Sequence, residues 1–394
     1  MDPEMRALDG IRVLDLSRFI SGPHCTMLLA DMGAEVIKVE SPKGELTRRF
    51  PPRIGDDSMF YMVLNRNKKG ITLDCWSDAG KETLRELIAK SDVLVENFRP
   101  GVMAAMGFSY DEVRAINPSI VMVSVSGFGQ DGPWAKRGCF DAIAQAASGM
   151  MSVTGWPEGP PTVAGTFVAD YLTAIYAAFG TVVALRHRER TGMGQWLDAA
   201  LLDASVSTLI TYLPTYLMTG VVTGRAGNDD RFIKPATAYA AADGHVYISV
   251  ATEAHVQRAW CLVGAEPPVM PPGPEGRAAC AVELARLIAA FAAERPSADV
   301  VAAFEALGIP VAKVATIDEV AVNPQVVHRG LMEYVDHPVA GQVPLPATPF
   351  KLSSTPGTIR SAPPTLGQHN DEVYETLLGY GRERIEAMRG EGVI

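Results

Sequence analysis

Over its first forty residues the chain changes hydrophobic period twice: Ile11 to Leu16 is a strand-like apolar run, Pro23 to Met32 has helical spacing and is closed by Gly33, and Glu35 to Val39 is a second strand. Strand, helix and strand in that order form a βαβ unit, which commits the two strands to run parallel. The alternation then continues. Ser77 is placed to cap a helix carrying Leu84, Leu87 and Ile88 on one face, and the strand Val93 to Val95 follows. Tyr110 to Ile116 reads as a helix ended by Pro118, and Ile120 to Val125 is nearly continuously apolar, as in strands buried on both faces. A chain patterned this way predicts an α/β, doubly wound parallel sheet, whose ligand crevice lies at the carboxyl ends of its strands.

The second half predicts a different organisation. Ala169 to Arg188 is a strong helix with Arg186, His187 and Arg188 in its last turns, where cations suit the helix dipole, and Gly192 just beyond. Ala204 to Gly224 is uncharged and long enough to span a membrane, but Pro214, two serines and five threonines predict a buried helix broken at the proline. Thr237 to Ala241 and His245 to Val250 flank Asp243-Gly244, a hairpin signal, and a proline-rich loop follows at Pro267 to Pro274. The expected domains are therefore 1–200, the N-terminal part of a large domain; 201–224, a linker helix; 225–330, a small domain; and 331–394, a connector and C-terminal return. Within the last, Val343 to Pro364 reads as extended and Asp371 to Leu378 as a final amphipathic helix.

Charge and cysteine content exclude several classes. With 35 Lys+Arg against 45 Asp+Glu, the net charge of −10 opposes non-specific nucleic-acid binding, which needs a basic excess. Five cysteines without CxxC spacing give neither a disulfide framework nor a zinc site. The stretch Met1 to Gly10 carries Asp2, Glu4 and Asp9 instead of a basic start and apolar core. A cytoplasmic protein bound neither to membrane nor to nucleic acid is expected.

Gly127-Phe-Gly-Gln-Asp-Gly132 fits GxGxxG, but Pro133 and Trp134 follow at once and no acid-tipped second strand comes some 20 residues later. It is expected to be a tight turn whose N–H groups line a pocket, where they could serve an oxyanion. His24 is expected to be a hydrogen-bonded structural histidine. Lys38, Lys43, Arg48, Arg49, Arg53, Arg66, Lys68, Lys69, Arg99, Lys136 and Arg137 cluster in the N-terminal half; most read as solvated charge, with a subset available for a phosphorylated ligand such as CoA. Asp170 opens the long apolar helix. Taken alone it is either a helix-terminus charge or a desolvated carboxylate able to attack a carbonyl carbon.

The motifs Leu8-Asp-Gly-Ile-Arg-Val-Leu-Asp-Leu16, Gly33-Ala-Glu-Val-Ile-Lys-Val-Glu40, Asn65-Arg-Asn-Lys-Lys69, Val95-Glu-Asn-Phe-Arg-Pro-Gly101, Met106-Gly-Phe108, Ser126-Gly-Phe-Gly-Gln-Asp-Gly-Pro133, Arg190-Thr-Gly-Met-Gly-Gln195 and Leu366-Gly-Gln-His-Asn-Asp-Glu372 together resemble the class III CoA-transferases. That family also holds 2-methylacyl-CoA racemases and carnitine CoA-transferases. The resemblance implies a Rossmann-like large domain built from both chain ends, a smaller inserted α+β domain, and an interlocked homodimer. It places Asp170 on the catalytic aspartate, which exchanges acyl and CoA groups through anhydride and thioester intermediates. The reactants implied are an acyl-CoA, such as succinyl-CoA, and an organic acid, with CoA thioesters as substrates and no separate cofactor or metal.

In the racemase branch a histidine precedes an aspartate where this chain reads Arg137-Gly-Cys-Phe-Asp141, so Phe140 removes one proton-transfer partner and the resemblance favours a transferase. A racemase or epimerase, or a silent acyl-CoA-binding homologue, is the alternative. Asp141 aligns with an acid that flanks the active site of formyl-CoA transferase. Ile20 and Arg18 replace that enzyme's glutamine and histidine, and its glycine-rich flap has no counterpart, so formate or oxalate handling is not implied. By resemblance Asn97, Phe98 and Met106 line the CoA channel, with Arg18, Phe19 and Arg99 near it. Trp76 stands for a lysine near the adenine, suited to stacking, and Ala105 for a CoA-binding arginine, leaving Lys43 and Arg137 as replacement candidates.

Overall fold

The computed structural model describes residues 5–54, 57–266 and 274–394, the side chains of 274–279 excepted. Residues 1–4 of the N-terminal reading, and all of the proline-rich loop but Pro274, lie outside the described residues. The chain forms two compact units: Met1–Met150, Val163–Met218 and Gln325–Ile394 make one, Met151–Thr162 and Thr219–Pro324 the other.

In the larger unit, β1 (Arg12–Asp15), α1 (Ser21–Asp31), β2 (Glu35–Glu40), β3 (Lys68–Thr72), α2 (Asp78–Ala89), β4 (Val93–Glu96), α3 (Tyr110–Ile116), β5 (Val121–Ser126), α4 (Asp141–Ser148), α5 (Val168–Thr191) and β6 (Trp196–Ala200) follow in chain order. The six strands form one parallel sheet in the order β3-β2-β1-β4-β5-β6. That is the Rossmann order, with its switch point between β1 and β4. Side chains sort by strand period: Val13, Val36, Val93, Val95, Val121 and Val123 pack on one face, and Leu14, Ile37, Ile71, Leu94 and Met122 on the other. Both faces are covered, which is why these strands read as unbroken apolar runs. Ser77 caps α2 through its hydroxyl, and Ser109 with Glu112 closes a capping box on α3.

The buried face of α5 is small, with Ala169, Thr173, Ala174, Ala177, Ala178 and Thr181 against α1 and the sheet. Its other face leaves Ile175, Tyr176, Phe179, Val182 and Val183 uncovered. This helix is long and apolar enough to cross a membrane by length and composition. The expected buried helix over Ala204 to Gly224 is instead two helices, Leu201–Ser207 and Tyr212–Thr219. The break falls before Pro214, which sits in the first turn of the second helix, where its missing N–H costs nothing. That second helix buries no residue, and Met218 is 85% exposed.

Three further differences lie downstream. Met332–His337 pairs antiparallel with Gly341–Pro346, so the expected extended connector begins as a hairpin. Pro344 and Pro346 hid it, yet in a ribbon of two edge strands their missing N–H is tolerated. The final helix near Asp371 is a short turn, Asn370–Glu372, continued as a π-helical Val373–Leu377, and another helix, Arg382–Gly390, follows.

The smaller unit holds an antiparallel sheet of Val311–Lys313, Gly244–Ser249 and Ala236–Ala241. Its core packs Val246, Ile248, Trp260, Leu284, Ile288 and Phe304. Asp243, in the hairpin turn, accepts from Ser297 N at 2.6 Å and Ser297 Oγ at 3.1 Å, which ties the turn to helix Ser297–Glu305. Residues 151–162 join this unit, whereas the sequence reading left them in the large domain: Arg225 donates to the carbonyls of Trp156, Pro157 and Gly159, and Gly227 N to Gly155 O at 2.8 Å.

Candidate active site

Helix α5 begins after Phe167, whose side chain cannot cap it, so its first N–H groups need another acceptor. Asp141, in the first turn of α4, supplies it: its Oδ1 accepts from Ala169 N at 2.7 Å and Asp170 N at 3.2 Å. Its other oxygen accepts from Gln145 Nε2 at 2.6 Å, and Gln145 Oε1 accepts from Ala164 N at 3.0 Å. Asp141 is thereby saturated with N–H donors and acts as a positioning residue for the start of α5. Asp170 is partly buried beside it and accepts a hydrogen bond from Ser21 Oγ at the start of α1. Burial pushes its carboxyl up to about 6; the Ser21 bond opposes this and the Asp141 charge adds to it. A carboxylate in this state is still ionised at neutral pH but is more basic than an exposed one, which suits attack on a carbonyl carbon.

The loop after β1 is built by close packing. A Cβ on Gly22 would lie 2.2 Å from Ser17 Cβ, so only glycine lets α1 start against this loop. Asn97, just after β4, grips the same loop across the switch point: its Oδ1 accepts from Arg18 N at 2.8 Å and its Nδ2 donates to Arg18 O at 2.6 Å. Beside this clamp opens a cleft of about 460 Å³ lined by Arg18, Phe19, Trp76, Phe98 and Met106, together with Arg49, Asp74 and residues of the β2 loop. The Arg18 guanidinium lies 4.7 Å above the Phe98 ring, and Trp76 is 56% exposed.

Four residues expected to bind CoA do not line this cleft. Asn97 orders its wall; Lys43 is exposed in the turn between Ser41 and Gly44, which do line it; Arg99 runs past Gly138; and Arg137 stacks on Trp134 at 4.3 Å. Arg49, rather than Lys43, lines it.

Most of the basic cluster is exposed, as expected, but Lys38, Arg48, Arg66 and Lys68 are buried. Lys38 pairs with Glu45 at 2.8 Å, Arg48 with Glu40 at 2.7 Å and Asp57 at 2.9 Å, and Lys68 with Asp15 at 3.0 Å. Burial alone would raise the Asp15 carboxyl, but Lys68 and Lys38, aided by Ser17 and Thr26, hold it well below the usual range. These pairs fix the strand ends beneath the cleft.

Two other expectations change. His24 packs edge-on against Tyr171 at 5.0 Å, with Nδ1 buried and without a hydrogen bond, and burial, with Arg66 and Lys68, lowers it to about 4. It is a neutral packing group. In the glycine turn, Gly129 N donates to Ser126 Oγ at 3.0 Å and Gln130 N to Asp198 Oδ2 at 2.8 Å, so both are spent on structure and neither is free for an oxyanion. Sequence reasoning missed Ser21 and Gln145, whose roles depend on contacts 149 and 19 residues away.

Over residues 8–370 the sequence matches CoA-transferase family III. The chain belongs to this family. A succinyl-CoA–D-citramalate CoA-transferase of Chloroflexus aurantiacus is 34% identical over 395 residues, 99% of this chain and 98% of that protein. A succinyl-CoA:mesaconate CoA-transferase of Haloarcula hispanica is 36% identical over 396 residues, 97% of this chain and 100% of that protein. The crystal structure of a CaiB/BaiF family protein from Brucella suis matches with a TM-score of 0.86 and 31% identity, covering 94% of this chain and 99% of that one.

The protein is thus an enzyme that transfers CoA. In this CoA-transferase the cleft occupies the switch point of the sheet, where doubly wound folds bind their ligands. The β1–α1 loop joins it to the carboxylates, because Arg18 and Phe19 line the cleft and Ser21 bonds Asp170.

Proposed function

We propose that this CoA-transferase moves CoA from an acyl-CoA to an organic acid through covalent intermediates on Asp170, with succinyl-CoA as a donor. The Asp170 carboxylate attacks the thioester carbonyl, the C–S bond breaks, and an aspartyl anhydride and CoA thiolate result. The thiolate attacks the aspartyl carbonyl and releases the donor acid, leaving an aspartyl-CoA thioester. The acceptor carboxylate then forms a second anhydride, and the thiolate attacks its acyl carbon, which regenerates Asp170. No net proton is consumed, and each step conserves an activated acyl bond provided water is excluded. The observation that carries this reading is the partly buried, still ionised carboxylate in the first turn of α5, bonded by Ser21 one loop from the cleft. The names of the Chloroflexus and Haloarcula relatives support the donor.

Incubation in deuterated water with succinyl-CoA, a 2-methylacyl-CoA and a panel of free acids, followed by mass spectrometry, tests it. New thioesters without deuterium at the α-carbon are expected. Deuterium uptake without a new thioester would make the protein a racemase, and saturable CoA binding with neither would make it a silent binder.

We also propose a cytoplasmic homodimer of interlocked subunits. The uncovered apolar face of α5 and the unburied helix Tyr212–Thr219 support a partner copy as their cover. Sedimentation should give twice the chain mass of 42.2 kDa; a lone 42.2 kDa species at micromolar concentration would end this proposal.

A further inference from the structure

The two carboxylate oxygens of Asp170 are not equivalent. Oδ1 accepts from the Ser21 hydroxyl, and among the described residues no other hydrogen bond reaches the carboxylate, so Oδ2 is open. The N–H groups of Ala169 and Asp170 both go to Asp141, and those of Gly129 and Gln130 are engaged in the glycine turn. Ser21 is 3% exposed and is the first residue of α1. Its position is fixed from both sides, because Gly22 packs on Ser17 while Asn97 clamps the loop at Arg18. Helix α1 starts without a side-chain cap, so the positive end of its dipole sits at the hydroxyl and favours negative charge across the bond.

Two of the four attacks in the reaction proposed above strike Cγ of Asp170 itself. The CoA thiolate attacks it in the anhydride, and the acceptor carboxylate attacks it in the aspartyl thioester. In each, the π pair of the aspartyl C=O moves onto the oxygen that stays with Asp170, and it returns as the donor carboxylate or the CoA thiolate leaves. A donor aimed at that oxygen before the charge develops stabilises the transition state most. The oxygen that stays is the one not used as nucleophile, which is Oδ1 when Oδ2 attacks the acyl-CoA.

Given covalent transfer through Asp170, we infer that Ser21 is a catalytic residue whose hydroxyl reserves Oδ1 as the carbonyl oxygen of every aspartyl intermediate, directs attack through Oδ2, and stabilises the oxyanion formed on Oδ1. The hydroxyl keeps its proton throughout and donates only a hydrogen bond.

Exchange of fully ¹⁸O-labelled succinate with succinyl-CoA tests this without knowledge of the acceptor, since a donor's own acid must be able to take CoA back. Each turnover leaves one labelled oxygen on Asp170, because the bridging oxygen of the second anhydride stays on Cγ when the thiolate takes the acyl group. After many turnovers the peptide holding Asp170 should carry one ¹⁸O in the parent, whose Oδ1 is never lost. It should carry two in Ser21→Ala, whose carboxylate is free to turn. The variant should also exchange about 10²- to 10³-fold more slowly, the cost of one oxyanion donor, with kcat and kcat/KM falling together. That loss should persist at about pH 9, where Asp170 is ionised with or without the Ser21 bond, so it is not a loss of nucleophile.

Two labels on Asp170 in the parent, a measurement that needs no variant, would overturn the role of Ser21 and leave transfer through Asp170 intact. So would a Ser21→Ala variant that exchanges at the parental rate. Exchange without ¹⁸O on Asp170, or no exchange at all, would overturn the covalent reading and this inference with it.

Discussion

Asp170→Asn is expected to lower CoA transfer by about 10⁴-fold or more and to leave no covalent adduct after incubation with acyl-CoA. The amide preserves shape and can still accept from Ser21 but has no anionic oxygen to attack a thioester. The same substitution should stabilise the protein at high pH, and the sign follows from linkage. Burial raises the folded-state carboxyl from 3.8 to about 6, above its unfolded value. Its contribution to stability is therefore fully present below pH 3.8 and is lost as pH rises through about 6. Two pKa units correspond to roughly 3 kcal/mol of cost at pH 8. The substituted amide carries no charge to bury, so the variant should match the parent near pH 4 and exceed it by about 1–3 kcal/mol at pH 8. Urea unfolding at both values, beside intact-mass detection of the adduct, checks the two halves independently. In the parent, adduct formation should fall below pH 6 as the nucleophile is protonated. Normal turnover by Asp170→Asn would sink the covalent mechanism.

What the sequence reveals and conceals about this fold follows from range. Strands covered on both faces must be apolar throughout, so Val93 to Val95 and Ile120 to Val125 are legible without knowing their neighbours. Helix starts are equally local, as at Ser77. Asp170 is visible as an acid opening an apolar helix, but its nearest polar partner, Ser21, is 149 residues away. Charge is the most deceptive signal. Lys38, Arg48, Arg66 and Lys68 look like surface residues because nothing near them in sequence shows that Asp15, Asp31, Glu40 and Glu45 fold onto them. The hairpin at Met332–Pro346 is hidden by composition, its prolines being allowed only because both strands are edges.

Asp31→Ala is expected to destabilise the larger unit by about 4 kcal/mol, a fall in Tm on the order of 10 °C, the largest structural effect of any single substitution considered. Asp31 closes α1 and is fully buried. Its carboxylate accepts from Arg66 Nη2 at 2.7 Å and Nε at 3.1 Å, from Asn67 Nδ2 at 2.8 Å and from Thr348 Oγ1 at 2.7 Å, while its carbonyl accepts from Thr358 N at 3.1 Å. Asn67 extends the grip by accepting from Arg360 N and Ser361 N. One carboxylate thus holds the end of α1, the start of β3 and the C-terminal return together. Removing it strands the Arg66 guanidinium, 1% exposed, without a counterion, and that uncompensated charge, more than the lost bonds, sets the cost. The distinction is testable. If stranded charge dominates, adding Arg66→Met to Asp31→Ala should recover most of the loss, since a buried pair replaced by apolar groups is often near neutral. If the bonds to the return segment dominate, the double variant should be no better than the single one, and proteolysis should begin within 348–361. A melting temperature for Asp31→Ala within about 2 °C of the parent would refute both accounts, because ΔΔG would then be no more than roughly 1 kcal/mol. Because α1 also carries Ser21 at its other end, the comparison has a functional readout: kcat at low temperature should persist in Asp31→Ala if packing of Cys25, Leu29 and Ala30 against α5 holds the helix in place, and Ser21 still meets Asp170.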